Sequence, residues 1–285
     1  MAADPAALTE HAPAKVNLYL HLCGQREDGY HLLDSLAVFP SVGDTISAKA
    51  GAELSLRIVG PEAGSLTDEA DNLVLRAARE LASSVNRKPE VSLTLEKRLP
   101  VASGIGGGSS DAAATLRLLS RAWDCQPPDD LALALGADVP VCACAPNSMR
   151  MRGIGEVLDP VDGVPGCGIL LVNPRVEVPT GAVFKGVADK NPPAGIPMPD
   201  RFAGFAEFIE WLAVQRNDLQ PAAEAICPEI GLVLDALSEA PLARMSGSGA
   251  TCFALYETTD VAERAARRLR QQAPDWWIAP SSIGG

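Results

Sequence analysis

No run in the sequence approaches the roughly twenty consecutive apolar residues that a membrane-spanning helix requires. The opening stretch, MAADPAALTEHAPAK, has neither a basic leader nor an apolar core behind one. These two absences lead us to expect a soluble, cytoplasmic protein. Basic residues are in deficit, 24 Lys and Arg against 36 Asp and Glu, for a net charge of −12. A binder of nucleic acid or anionic membrane needs a basic face, so the expected partner is a small molecule. Cysteine spacing offers no metal site or disulfide framework. There are seven, an odd number, and the closest pair, Cys142 and Cys144, is C-x-C with no His nearby to complete a zinc site. Reduced thiols packed in the core are expected. The G-x-S-x-G elbow is missing too, since GGGSS and SGSGA do not spell it, which sets a serine hydrolase aside.

What is present is a chain of 285 residues, 47% hydrophobic, enough to bury a sizeable core in two domains. We place the boundary near residue 160, giving 1–160 and 161–285. Residues 14–22, AKVNLYLHL, alternate: Val16, Leu18, Leu20 and Leu22 point one way, Lys15, Asn17, Tyr19 and His21 the other. A half-buried strand is expected there, with further strands over 34–39, 44–50, 53–59 and 91–97, antiparallel because they are closely spaced. Between the last two, DNLVLRAARELASS predicts a helix behind a capping Asp71. A second helix is expected over 110–123, a strand over 168–173, a loop over 188–200, and a buried strand at CFALY, 252–256. FAEFIEWLAV, IGLVLDALSEA and VAERAARRLRQQA carry helical periodicity. The whole reads as α+β.

The densest signal is GIGGGSSDAAATL, 104–116. Glycines let several N–H groups converge without interference from Cβ, and the helix that follows adds its own unsatisfied N-terminal N–H groups and positive dipole end. Together these predict a phosphate cradle, beside the alternative of a glycine turn that permits close helix packing. Ser109, Ser110 and Asp111 fall in the first turn, where their oxygens can cap N–H groups or face a ligand or metal. The familiar phosphate motifs do not fit. Walker A wants Gly-Lys-Ser/Thr where this chain has Gly108-Ser109, the dinucleotide fingerprint lacks its acidic strand end, and the loop of a protein kinase bends into a strand rather than a helix.

With its flanks, the segment Leu99 to Ala113 resembles the phosphate-binding motif of the GHMP small-molecule kinases. APAKVNLYL resembles that family's first motif, and MSGSGATCFALY, 245–256, its third, a second glycine turn formed by Ser246, Gly247, Ser248 and Gly249. Within the family, APAKVNLYLHLCGQREDGYHLLDSL, LGADVPV and VPTGAVFKG are similar to the branch whose acceptor is a cytidine diphosphate-linked polyol, 4-diphosphocytidyl-2-C-methyl-D-erythritol. The resemblance spans nearly the whole chain. It implies a two-domain GHMP-kinase-like fold, with an N-terminal domain like the second domain of ribosomal protein S5, a ferredoxin-like C-terminal domain and an ATP cleft between them.

The resemblance also implies a set of site residues. Lys15 would be the catalytic lysine and Asp138 the base taking the acceptor hydroxyl proton. Ser103, Gly104, Gly106, Gly107, Gly108, Ser109 and Ser110 would bind phosphates, Asn72 and Lys97 adenosine, and Asn17, Tyr30, His31, Thr180 and Phe184 the acceptor, with rings stacking on cytosine. ATP would arrive with Mg²⁺, whose protein ligand is left open between Ser110, Asp138 and water. Taken alone, Lys15 reads as an exposed strand-end lysine, Asp138 as a turn or capping residue before Pro140, and Phe184 as core. Expected partners are ATP and the polyol, with no nucleic acid or membrane, and the chain a monomer or weak homodimer. Homoserine, mevalonate or a sugar are alternative acceptors, disfavoured because none has a base to stack. A non-catalytic nucleotide-binding protein on the same fold is the third reading. RAWDCQPPDDLALAL, before Asp138, looks shorter than is usual for the family, so a helix there is expected to be missing or trimmed.

Overall fold

The computed structural model describes residues 8–65 and 72–284. In chain order the elements begin with β1 (Leu8–Pro13), β2 (Val16–Gln25), β3 (His31–Val38), β4 (Gly43–Ala50), β5 (Ser55–Val59), α1 (Leu73–Ser84) and β6 (Val91–Glu96). Next come α2 (Gly107–Trp123), α3 (Leu131–Leu135), α4 (Val139–Ala143), β7 (Met149–Gly153), β8 (Val157–Pro160), β9 (Cys167–Asn173) and α5 (Thr180–Gly186). The chain closes with α6 (Phe205–Ala213), α7 (Gln220–Ile226), α8 (Glu229–Ala236), β10 (Leu242–Met245), β11 (Cys252–Tyr256), α9 (Thr259–Gln272) and β12 (Trp277–Ile283).

Two compact units emerge, each assembled from separated stretches of chain. Among the described residues, the first comprises 8–14, 43–65, 72–101 and 106–143, the second 15–42, 102–105 and 144–284. In the first unit, β1, β4, β6 and β5 form one sheet in that order. β5 runs parallel to β6, which corrects the expectation of antiparallel pairing: α1 intervenes in the chain and carries it back to the starting edge. Helix α2 packs on β1 and β4 and against α1 and α4, and Ala112, Ala113, Leu116 and Leu119 are among its buried residues. Asn72 caps α1, its Oδ1 accepting from Val74 N–H at 2.9 Å; the expected cap, Asp71, lies outside the described residues.

In the second unit one sheet has the order β2-β3-β7-β8 and the other β10-β11-β9-β12. The second sheet is antiparallel throughout and carries α9. Its core joins Leu170 and Val172 of β9 to Leu20 and Leu22 of β2, Ile230 of α8 and Ala266 of α9. The expected alternation of β2 is broken by a bulge between Asn17 and Tyr19: Asn17 lies with Leu20 on the face of Ser35, while Tyr19 and His21 lie on the face of Asp34. Both faces are buried, Lys15, Asn17 and His21 being as enclosed as their apolar neighbours. Lys15 is therefore no exposed strand-end lysine. Cys142, Cys167, Cys227 and Cys252 are buried as expected, but Cys23 is exposed. No helix among the described residues is long and apolar enough to cross a membrane.

Candidate active site

In the first unit the glycine-rich segment becomes the start of α2. Gly106 takes the left-handed conformation at the N-cap, φ 63°, with no side chain capping the helix, and the first intrahelical bond is Ser110 N–H to Gly106 O at 2.8 Å. The helix begins three residues earlier than expected because Gly107 and Gly108 are already helical. The N–H groups of that first turn have no carbonyl within the helix to meet, the condition for holding an anion. Ser110 is buried, and its hydroxyl donates to Pro13 O at 2.5 Å, tying the helix start to β1.

Beneath this turn lies a buried ion triad. Lys97 Nζ donates to Asp44 Oδ2 at 2.5 Å and to Asp111 Oδ2 at 2.9 Å. Asp44 Oδ1 accepts from the N–H groups of Arg98, 2.5 Å, and Leu99, 2.9 Å, so one carboxylate shapes the bend after β6 and anchors the ammonium. A Cβ on Gly107 would lie 3.2 Å from Lys97 Nζ, a tight approach to an ammonium that two carboxylates hold in place. Burial raises the pKa of Asp111; Lys97 opposes the rise and Asp44 adds to it, leaving Asp111 at about 7. Burial works to lower Lys97, but the two carboxylates outweigh it and its pKa is raised. Asp111 thus turns inward to an ion pair instead of capping N–H groups or facing a ligand, and its Oδ1 is buried without a partner.

In the second unit Lys15 is 5% exposed and its Nζ donates to Asn17 Oδ1 at 3.0 Å. The Asn17 amide is oriented by its other end, Nδ2 donating to Ser35 Oγ at 2.7 Å, while Ser35 donates to Tyr19 O. Ammonium and amide are therefore held together. Lys15 N–H also bonds Ile105 O at 2.9 Å, joining the strand to the first half of the glycine segment. There Gly104 has φ +72°, and a Cβ on it would lie 2.5 Å from Gly249 O; the two glycine turns touch backbone to backbone.

His31 and Phe184, 153 residues apart in the chain, meet with ring centroids 5.3 Å apart and planes 31° from parallel. Burial, then the charge of Lys190, lower the pKa of His31, which favours a neutral imidazole, and its buried Nδ1 has no partner. Tyr30 is 60% exposed and has no ring contact with this pair among those observed. Thr180 Oγ1 lies 2.9 Å from Ser248 Oγ, linking the start of α5 to the second glycine turn. In the first unit, Asp138 sits half-buried just before α4 and its carbonyl accepts from Cys142 N–H at 3.1 Å. The segment preceding it holds only the single turn α3.

Several residues that shape this site escaped the reading of the sequence. Asp44 and Asn217 act on partners 54 and 28 positions away, and no local pattern marks either. Arg244, buried and pushed down to about 10 by desolvation, donates to the carbonyls of Leu18, Leu212 and Gln215. It fixes β2 from behind.

Comparison with known proteins identifies the family. Residues 72–147 match the GHMP kinases N terminal domain and residues 200–275 the GHMP kinases C terminal domain. A protein of Ruegeria pomeroyi named 4-diphosphocytidyl-2-C-methyl-D-erythritol kinase is 53% identical over 97% of this chain and 99% of its own. One of the same name from Dinoroseobacter shibae is 51% identical over 95% of this chain and 93% of its own. Among solved structures, a 4-(cytidine 5'-diphospho)-2C-methyl-D-erythritol kinase is 33% identical, with TM-score 0.81, covering 98% of this chain and 100% of that one. The mevalonate kinase of Methanococcus jannaschii, 14% identical with TM-score 0.65 over 99% of this chain and 100% of its own, shares the fold alone. The chain belongs to the GHMP kinases, in the branch of the 4-diphosphocytidyl-2-C-methyl-D-erythritol kinases.

Proposed function

We propose that this chain transfers the γ-phosphoryl group of ATP to the 2-hydroxyl of 4-diphosphocytidyl-2-C-methyl-D-erythritol, a step of non-mevalonate isoprenoid biosynthesis. The observation that carries the reading is the identity of about half the residues, over nearly the full chain, with kinases of that name. The His31–Phe184 ring pair supports the cytidine acceptor over homoserine, mevalonate or a sugar, because only the former has a flat base to receive it. Tyr30, Asn17 and Thr180 complete the proposed acceptor set. The retention of Lys15 and Asp138 supports a catalyst over a non-catalytic nucleotide binder.

Phosphoryl transfer asks mainly for positioning and charge stabilisation. The start of α2, Gly106 to Ser110, takes the nucleotide phosphates in this proposal, with Ser103 and Gly104 supplying the loop before it. Asp138 accepts the proton of the acceptor hydroxyl as its oxygen bonds to the γ-phosphorus and the bond to the bridging oxygen breaks, releasing ADP. The Lys15 ammonium, aimed by Asn17, stabilises the forming alkoxide. Asn72 and Lys97 serve adenosine; the Lys97 ammonium is engaged by carboxylates, which confines its contribution to backbone and stem.

Mg²⁺ enters with ATP as part of the substrate. Among the described residues no group of three or more His, Cys, Asp or Glu could hold a metal, and Mg²⁺ bound through phosphates needs only one or two protein oxygens. We further propose domains of 1–160 and 161–285, a cytoplasmic location, and a monomer or weak homodimer.

The test is ADP release by the purified protein with Mg-ATP and the cytidine acceptor, beside the same polyol lacking cytosine, homoserine and mevalonate. Turnover confined to the intact acceptor is expected, and Asp138→Asn lowers kcat by about 10²–10⁴-fold. Turnover of another alcohol instead would remove the acceptor from the proposal.

A further inference from the structure

Asn217 lies in the connection between α6 and α7 and takes no part in the roles assigned above. It is 6% exposed. Both N–H donors of its amide are spent on one segment, Nδ2 donating to Met245 O and to Gly247 O, each at 2.8 Å. Its Oδ1 accepts from Leu219 N–H at 3.1 Å, so both ends of the amide are assigned by their partners. The residues on either side clamp this connection to β2: Leu20 N–H bonds Arg216 O and Asp218 N–H bonds Leu20 O, both at 2.9 Å. Asn217 thus stands on the strand of Lys15 and Asn17 and holds the second glycine turn by two of its carbonyls.

What the turn does with that support is visible in its next contacts. Ser246 Oγ accepts from Asn17 N–H at 3.1 Å and donates to Gly104 O at 3.2 Å. Thr251 N–H, at the far end of the turn, bonds Ser103 O at 3.1 Å. A Cβ on Gly247 would come within 2.9 Å of Gly104 O and 3.3 Å of Asn17 Oδ1, so the turn has almost no slack against either. A buried amide that satisfies two turn carbonyls fixes one conformation where an apolar residue of the same size would leave both carbonyls orphaned.

We propose that Asn217 is a positioning residue: its amide sets the second glycine turn so that Ser246 registers the Asn17 strand against the Ser103–Gly104 end of the phosphate loop. Its expected effect on turnover rests on the phosphoryl-transfer reading above. Loss of the register shifts Asn17 and the Ser103–Gly104 segment relative to one another and misaligns the reacting oxygens, while the start of α2 and the His31–Phe184 pair keep most of the binding, so kcat falls much further than KM rises.

The test is a donor series at position 217 in the full chain. Asn217→Asp keeps the shape and the acceptor for Leu219 but has no donor when ionised; Asn217→Ser can serve one carbonyl; Phe208→Leu, a core truncation in α6, controls for lost stability. With turnover counted per ADP-binding site, Asn217→Asp is expected to lose thirtyfold or more and Asn217→Ser threefold to tenfold, with KM for ATP and acceptor within threefold. Phe208→Leu keeps kcat within twofold. Hydrogen exchange supplies a readout independent of chemistry: amides in 103–106 and 245–251 exchange tenfold or more faster in Asn217→Asp and at the native rate in Phe208→Leu. If wild-type protein leaves the acceptor untouched, the function reading fails and the exchange result still judges Asn217. Native exchange over both segments in Asn217→Asp overturns the inference, as does loss of turnover in Phe208→Leu matching that of the series. Should Asn217→Asp not fold, native exchange and turnover in Asn217→Ser overturn it.

Discussion

Gly104 and Gly108 stand four residues apart in the same motif, and their surroundings demand glycine for different reasons. At Gly104 the backbone itself requires it: φ is +72° and a methyl would meet Gly249 O at 2.5 Å, so Gly104→Ala is expected to cost about 2 kcal/mol or more and abolish turnover. Gly108 is helical and exposed, and a methyl added there would meet only Leu73 Cδ1, at 3.5 Å. Gly108→Ala should stabilise the protein by about 0.5–1 kcal/mol, the ordinary gain of alanine over glycine in a helix. If α2 receives phosphate there, the same methyl obstructs its approach, and the KM for ATP rises at least tenfold in a protein that melts higher than wild type. A higher melting point with unchanged KM would show that phosphate does not approach Gly108. Both glycines were legible as a cluster, since four of five consecutive residues announce exposed backbone. Which one is strained and which is open was not legible, because Gly249 lies 145 positions from Gly104.

At the scale of the element, α2 is a helix whose first turn rests on three buried charges, and its stability should depend on pH in a direction that can be worked out. Asp111 has a folded pKa of about 7 against 3.8 for the free side chain. Between those values the folded protein holds a proton that the unfolded chain has lost, so the contribution of Asp111 to stability declines as pH rises from about 4 to 7. Asp111→Asn does not titrate, so its stability relative to wild type should improve across that range, by at most about 1.4 kcal/mol per pH unit. Urea melts of both proteins at pH 4.5, 5.5 and 6.5 measure the difference; no drift would mean that Asp111 is ionised in the fold throughout. Of the elements themselves, the sequence marked those with several periods of pattern: β2 by alternation, α1, α2 and α9 by helical spacing. It missed α3 and α4, five residues each, because a single turn offers no period to count. It also missed β12, which pairs with β9 through Pro280, a residue that speaks against a strand but is tolerated at the sheet edge where β12 lies. The triad was invisible for a further reason: Asp44 and Lys97 are each one charged residue at the end of a strand, and only the pairing of β4 with β6 brings Thr45 opposite Glu96 and their neighbours into contact.

At the scale of the whole molecule, two compact units are built from interleaved stretches of chain, an arrangement that reading residues in order does not reveal, whereas the composition that governs long-range charge is fully legible. That composition sets a conflict. The chain carries a net charge of −12, and both proposed substrates, Mg-ATP and a cytidine diphosphate ester, are anions. The features that favour phosphate, the start of α2 and the Lys15 ammonium, act over a few ångströms, while the net negative field extends over the Debye length, about 30 Å at 10 mM salt and about 8 Å at 150 mM. Salt should therefore remove more repulsion than attraction. The KM for the acceptor at saturating Mg-ATP is expected to fall about two- to threefold between 10 and 150 mM KCl, opposite to the behaviour of an enzyme that steers its anionic substrate. A KM that climbs with salt would show that local positive groups govern the approach from a distance, and that the acidic residues lie on faces the substrates never traverse.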